Sequence, residues 1–533
     1  MQQEKVIESK LCKNCNSSFD ITDIDLEFLD KLSPIIAWQK FQLPVSKFCP
    51  DCRKIQRLTR RIETKLFKRK CNKTWNDIIS TFPPWIPYKI YDEEIWSSDI
   101  WDAKDYWQDF NFSKPFFEQF NELLKNVPLP SKSTVNCENS DYCNSCTALK
   151  NCYLTFCSNY SENTHYCVDA LSSDYCVDCF GIIQSENCYE AIATIKCYNV
   201  EHSYDVKNCN DSKFLLSCDW CSNCYGCYNL INAKYHIFNT SYSKEEYFEK
   251  YNKITSKTVF EQRNEFEKFY TWKYIKKILP NTWSENTIDS ENVVDSQNVS
   301  YSRHIFDAQN VRYSQRLQTP IVNLVMDYTW FGNNAERIYF CQQVGNNANN
   351  IFFSHWSYNE ISNLYYTMYC RNNVSNCFGC ISLNNSKYCI LNKQYSKEDY
   401  EKLVPKIIEH MKKTWEWWEY FPVKYSHNWY NDSICQVLKP LTKEEALIQW
   451  FKWSDYEAPF PKLDKIIPAN KLPDNIKDIP DDILNWAIEC EISKKLFRII
   501  KPELEFYRKH NLPIPKRHPE QRYVDRLKWY VNY

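Results

Sequence analysis

Apolar residues keep a helical period in only a few stretches of this 533-residue chain. Leu58, Ile62 and Leu66 stand four apart and predict a helix with one packed stripe and otherwise charged faces. Phe116, Phe120, Leu123 and Leu124 predict a second helix inside an aromatic, proline-punctuated stretch, 71–130. Capping-box signals at Ser243-x-x-Glu246 and, in near-equivalent form, Ser396-x-x-Asp399 predict two further helix starts. Between these, 131–242 and 281–395 show short polar–apolar alternation without a helical period, which favours strands. Tyrosines recur there (Tyr142, Tyr153, Tyr166, Tyr175, Tyr189, Tyr198), mostly 9 to 14 residues apart. Two steps make about 21 to 25 residues, within the coil length of many solenoids.

The expected fold is multidomain and β-rich. Residues 1–70 read as a zinc ribbon with a basic helix and 71–130 as a helical aromatic layer. The segments 131–242 and 281–395 are two β-solenoid blocks, closed by helical caps at 243–280 and 396–455. Residues 456–533 read as an extended linker and a degenerate ribbon-like module. Residues 223–247 align with 376–400 at a constant offset of 153, with 15 of 25 identical, so the solenoid–helix pair is a tandem duplication.

Composition sharpens this picture. Five glycines cannot supply a dinucleotide fingerprint or a phosphate loop, which excludes Rossmann and P-loop chemistry. Asn tolerates left-handed corners and can stand in for the missing glycine. Twenty-seven cysteines, an odd number, with no apolar leader in the first residues, argue for reduced thiols rather than a disulfide framework. No apolar run approaches the ~20 residues of a spanning helix, so no membrane is expected and the location expected is cytoplasmic.

The chemistry concentrates at the N-terminus. Cys12, Cys15, Cys49 and Cys52 form two Cys-x2-Cys pairs, the ligand pattern of one structural Zn2+. Residues 53–70 then carry nine bases and one acid. Arg53, Lys54, Arg57, Arg60, Arg61, Lys65, Lys68 and Arg69 are the candidate phosphate contacts, and nucleic acid or a ribonucleoprotein the candidate partner. A further protein could dock on a solenoid face. Residues 137–240 hold 12 acids against 5 bases, and 490–533 hold 11 bases against 5 acids, so basic ends flank an acidic middle.

Two rivals share the solenoid. Cys218, Cys221, Cys224 and Cys227 have the spacing of three iron–sulfur ligands and one extra thiol. The duplicate keeps only Cys377 and Cys380, which favours stacked wall residues instead. Asp169, Asp174, Asp178 and Asp205 could line a hydrolase face, although solenoid corners collect Asp for turn reasons. Non-catalytic binding is the preferred reading.

The last segment repeats the first. Leu43-Pro44 through Cys49, Cys52 and Arg53 aligns ungapped with Leu512-Pro513 through His518, Gln521 and Arg522, while Cys12 and Cys15 fall on Cys490 and Ser493. Cys-Ser-His-Gln offers at most two good ligands, so the same turn is expected without metal, packed around Phe497, Leu504 and Phe506, with a basic face at Arg517, Arg522 and Arg526.

On these motifs the chain resembles an uncharacterised bacterial family of large zinc-ribbon proteins from small-genome lineages, most densely over Cys377–Glu409 and Lys471–Arg526. The unit Cys12/Cys15/Cys49/Cys52 with Pro50 and Arg53 is also similar to a short zinc-binding treble-clef domain. The resemblance implies a second cysteine pair after Cys71 and a further C-terminal ribbon. This chain has Asp92 and Ile95 at that second pair and stops at Tyr533, so Cys71 reads as an orphan.

Overall fold

The computed structural model describes residues 4–271, 281–317, 321–328, 334–457, 460 and 465–532. The final residues of the first cap, 272–280, lie outside them. The chain is β-rich and forms two compact units, each discontinuous in sequence. Unit one comprises Met1–Ile62, Lys68–Ser131 and Ile278–Ser454; unit two comprises Glu63–Phe67, Lys132–Lys277 and Asp455–Tyr533. Each contains one solenoid block and at least one cysteine-knuckle module.

The solenoids are wound more tightly than the tyrosine spacing suggests. In unit two Val168 pairs in parallel with Phe180, and Phe180 with Ile192, so one coil takes twelve residues rather than about 21 to 25. The cause is a three-residue unit. Tyr160, Asn163, Tyr166, Asp169, Ser172, Tyr175 and Asp178 all have positive φ, one left-handed corner in every three residues. The residue after each corner points inward: Ser161, Thr164, Cys167, Ala170, Ser173, Cys176 and Cys179 are all at most 2% exposed. Four such triplets close one coil.

Backbone hydrogen bonding explains which side chains fill the interior. In a typical triplet Asn159 N–H donates to Ala170 O (2.8 Å) on one neighbouring coil and Tyr160 N–H to Thr147 O (2.9 Å) on the other. The inward residue's own N–H is left over, and it often turns to a hydroxyl or thiol twelve residues earlier. Ser173 N–H donates to Ser161 Oγ (3.1 Å), Cys197 N–H to Ser185 Oγ (3.3 Å) and Cys221 N–H to Cys209 Sγ (3.2 Å). Those groups in turn donate to carbonyls two residues back and nine ahead, as Cys167 Sγ does to His165 O and Cys176 O, both 3.4 Å. A small side chain that both accepts and donates satisfies buried backbone groups that Ala or Val would leave bare.

In unit one the same winding runs through coils of 12, 13 and 14 residues, and its sheet of ten strands is parallel except at its last pair. Its interior is more aliphatic: Val299, Val311, Val325, Ile338, Ile351 and Leu364 form one in-register ladder. Asparagines occupy many left-handed corners and bond along the stack, as in Asn286–Asn298–Asn310 (3.0 Å each). Each block ends in a tight antiparallel turn followed by a helix, Lys244–Thr255 after Ser243 and Lys397–Lys413 after Ser396. Tyr247 packs on Tyr235 (5.7 Å between centroids) and Tyr400 on Tyr388 (5.7 Å), so the helices cover the final coils.

Candidate metal centre

The first knuckle sits in the turn between strands Val6–Leu11 and Ser18–Thr22. Cys12 N–H donates to Ser17 O (3.0 Å), and Asn16 N–H returns to Cys12 O (2.9 Å) with Asn16 in the left-handed region. This tight loop aims Cys12 and Cys15 the same way. Cys49 caps the Pro50–Leu58 helix, where Pro50 is pre-set for the first turn, and Cys52 follows one turn on. The four sulfurs lie within 4.8 Å of one another, and Cys15 Sγ is 3.8 Å from Cys49 Sγ. A tetrahedral ion with metal–sulfur bonds of ~2.3 Å separates its ligands by about 3.8 Å, so the group could hold a metal ion. The sequence thus brought together all four expected ligands.

The Ser17 hydroxyl holds the Cys15 thiol down to about 6, whereas burial raises the Cys49 and Cys52 thiols. The backbone N–H of Cys49 donates to Cys12 Sγ (3.4 Å) and Asn14 Nδ2 to Cys52 Sγ (3.4 Å), bonds that stabilise thiolate charge. Among the described residues this is the one group of three or more Cys, His, Asp or Glu close enough to share an ion.

The knuckle backbone occurs twice more. At Cys71 the N–H donates to Asn76 O (2.9 Å), Trp75 N–H returns to Cys71 O (2.9 Å), and Asp92, capping the Glu93–Ser97 helix, donates its N–H to Cys71 Sγ (3.3 Å). At Cys490 the N–H donates to Lys495 O (3.0 Å), Lys494 N–H returns to Cys490 O (3.2 Å), and the His518 N–H reaches the Cys490 sulfur just ahead of the Pro519–Asn532 helix. The ligand positions of these copies read Cys71, Thr74, Asp92, Ile95 and Cys490, Ser493, His518, Gln521. The 71–130 stretch therefore contains a knuckle without a four-ligand set ahead of its Phe116–Asn126 helix, a feature the aromatic composition conceals.

The basic run requires a correction. It is not one continuous helix: the helix ends at Leu58, and Phe67–Lys70 is a strand. Arg53, Arg57, Arg60 and Arg61 are at most 4% exposed and Arg69 is 8% exposed. Arg53 Nε donates to Asp327 Oδ2 (2.5 Å), Arg57 Nη1 lies 3.3 Å from Asp327 Oδ1, and Asp327 is wholly buried at a left-handed solenoid corner. Arg69 bonds to Pro83 O (3.0 Å) and Asn72 Oδ1 (3.2 Å). Lys54 and Lys65 are half-buried, and only Lys68 of the eight is exposed. The spacing Leu58, Ile62 and Leu66 runs past the helix end; Leu58 and Ile62 are buried all the same, and carboxylate and carbonyl acceptors bury the arginines beside them.

The C-terminal basic face is corrected likewise. Arg526 Nη1 donates to Asp178 Oδ1 (2.6 Å), Arg522 bonds to the other oxygen, and Asp178 is wholly buried. Arg517 pairs with Glu491 and Asp525 (2.8 Å each). Asp178 is thus committed to two guanidinium groups, and Asp174 accepts from Asn163 Nδ2 (3.0 Å). Cys218, Cys221, Cys224 and Cys227 are the four inward residues of a single coil, one per side, each donating to backbone carbonyls.

A cavity of about 610 Å3 lies beside the metal ligands in unit one, lined by Asn14, Cys52, Gln56, Tyr420 and Phe421 among others, with Lys13, Lys424, Trp415 and Trp450 also in its wall. Trp415 and Trp450 are each 77% exposed and each has positive φ just past a helix C-cap. No helix among the described residues is long and apolar enough to cross a membrane. No protein-family model matches the chain, and no curated protein matches it.

Proposed function

We propose that the protein is a non-catalytic, zinc-binding scaffold that engages nucleic acid or a ribonucleoprotein, with the solenoid faces as docking walls for protein. A turn-borne Cys pair and a pair in the first helical turn support reading the N-terminal module as a treble clef, and an all-thiolate set of four suits a closed structural zinc site. Zinc there would fix the Pro50–Leu58 helix and, through Arg53 and Arg57, the module's seat on the solenoid.

The contact surface moves away from the buried arginines. The observation that carries the reading is the pair Trp415 and Trp450, held exposed in the wall of the cavity with Lys13 and Lys424. Indole faces beside cations suit unstacked bases on a phosphate chain, each stacked base contributing about 1–3 kcal/mol. Fluorescence anisotropy of short single-stranded RNA and DNA at low salt tests this: binding should weaken in Trp415→Ala and Trp450→Ala while the fold is kept. Absence of affinity for both nucleic acids would end the reading. Elemental analysis should return one zinc per chain; iron, or several zincs, would end the metal assignment.

A further inference from the structure

Away from the Cys12–Cys52 group, unit one buries several polar atoms that have no hydrogen-bond partner among the described residues. His355 is 0% exposed and neither ring nitrogen has a partner. Gln342, its register partner on the neighbouring coil, is equally buried, with both amide atoms unpartnered. His427 is 3% exposed, its ring centroid is 5.3 Å from that of His355, and its Nδ1 is unpartnered. Arg60 is 2% exposed; its Nη2 donates to Phe421 O and Pro422 O (3.3 and 3.2 Å), but Nη1 has no acceptor. The rings of Tyr369, 5.5 Å from His355, and Phe82, 5.4 Å from His427, wall the group.

Each orphaned polar atom costs about 1–3 kcal/mol, so a convergence of this kind calls for an occupant. Charge says which kind. Among the described residues no carboxylate pairs with Arg60; its ionisable neighbours are Tyr420, Tyr88 and Tyr369. Lys452, which donates to Ser426 O (2.7 Å) next to His427, adds another cation, with Lys125 near it. Burial keeps both histidines well below their usual pKa and hence neutral. The cluster is electropositive, which disfavours a metal cation and favours an anion.

Hydrogen-bond capacity narrows the anion further. Arg60 Nη1 can only donate, but a neutral His355 offers one N–H and one lone pair, and Gln342 offers both N–H groups and a carbonyl oxygen. A halide or sulfate can accept from these groups and give nothing back. Hydrogenphosphate accepts through its charged oxygens and donates through its P–OH. We propose that Arg60, Gln342, His355 and His427 form a buried site for a hydrogenphosphate group, either the free ion or the end of a monoester.

The test uses the full, metal-loaded chain, independently of any nucleic acid. It is incubated with inorganic phosphate, desalted, denatured in acid and assayed for released phosphate, with sulfate and chloride controls at equal ionic strength. About one phosphate per chain is expected, together with a shifted 31P line in the folded protein and a saturable rise in Tm that sulfate does not match. Glycerol 2-phosphate separates the two sources: retention of inorganic phosphate alone means an enclosed ion, and retention of both means a site open to monoesters. His355→Phe and Arg60→Met should each lose about tenfold or more in affinity. Should either variant fail to fold, the 31P spectrum of the unaltered chain decides alone. No bound line and no retained phosphate, or equal retention of sulfate, means that water or unspecific anions satisfy the cluster and overturns the site.

Discussion

The two units apply one docking device with different support beneath it. In unit one, Arg53 and Arg57, four and eight residues after Cys49, clasp Asp327; in unit two, Arg522 and Arg526, four and eight residues after His518, clasp Asp178. Arg53 lies over the Tyr313 ring (5.3 Å) and Arg522 over the Tyr166 ring (4.4 Å), each from the coil before its aspartate. Beneath the first clasp, Cys12, Cys49 and Cys52 cluster with Phe19 and Phe48 against them, while Phe28, Leu29, Leu32 and Leu43 of the same module join the main core of unit one. Beneath the second, Leu472, Ile476, Ile479 and Ile483 join Phe497, Leu504 and Phe506 in an ordinary apolar core. The first module is packed as the second is, with Ile55 and Leu58 adding a further cluster, so what sets it apart is the four-thiol group between its two knuckles.

The sharpest way to break the symmetry is to remove the metal. Structural zinc contributes about 10–16 kcal/mol of apparent folding free energy in small fingers. Chelation, or Cys49→Ser, should therefore raise hydrogen exchange across residues 5–58 while the Cys490 module stays protected. Cys490→Ser should do little by comparison. Equal loosening of both modules would mean that the second still depends on an ion.

Cutting either clasp comes next. Asp327→Asn takes the carboxylate from both Arg53 and Arg57, a loss of about 3–5 kcal/mol, and Asp178→Asn should cost less, because Arg522 keeps its second carboxylate partner, Glu503 (3.3 Å). Each should lower the unfolding midpoint of its own unit. An unchanged midpoint in urea would mean the arginines reach water when unpaired.

Acid separates the units by mechanism. Burial pushes His518 down to about 4, so between about 6.5 and 4 the unfolded chain takes the proton and the folded one does not. His518 should cost unit two up to about 3 kcal/mol as pH falls through that window, with buried His165, also held down to about 4, acting beside it, so His518→Gln should flatten the slope in part. Unit one should respond through its own buried neutral histidines, His355 and His427, and, unlike unit two, also through release of its ion as the thiolates protonate, a part that added zinc opposes.

These contrasts also mark what the residues alone could convey. The Cys12–Cys52 ligand set was legible because ligand spacing is local: a knuckle and a helical turn fix it whatever lies elsewhere. Solenoid character and helix starts at Ser243 and Ser396 were legible for the same reason. The fate of Arg53 and Arg57 was not, since their acceptor Asp327 is more than 250 residues away and a paired buried cation has the same local pattern as a solvated one. Tyrosine spacing overstates the coil length because its steps scatter around one twelve-residue coil rather than half of one, tyrosines falling on more than one corner, whereas the governing period is the triplet of inward Cys, Ser, Thr and aliphatic residues. That period was present as Cys218-x2-Cys221-x2-Cys224-x2-Cys227, where metal-ligand spacing and wall spacing coincide.

That coincidence yields the smallest and most discriminating effect. If the thiols of Cys218–Cys227 serve as wall groups, Ser should replace each with a loss of about 1 kcal/mol, because Ser173, Ser185 and Ser212 already fill equivalent positions with the same bonds. Ala should cost more than Ser wherever a sulfur accepts an N–H, as Cys209 does from Cys221, although Ala keeps the apolar character of the interior. A metal-binding role removes that difference: Ser and Ala would then fail alike, with lost absorbance or metal content. Urea midpoints for Cys209→Ser and Cys209→Ala, read beside Cys218→Ser, therefore separate hydrogen-bonded filling from coordination without any assay of activity.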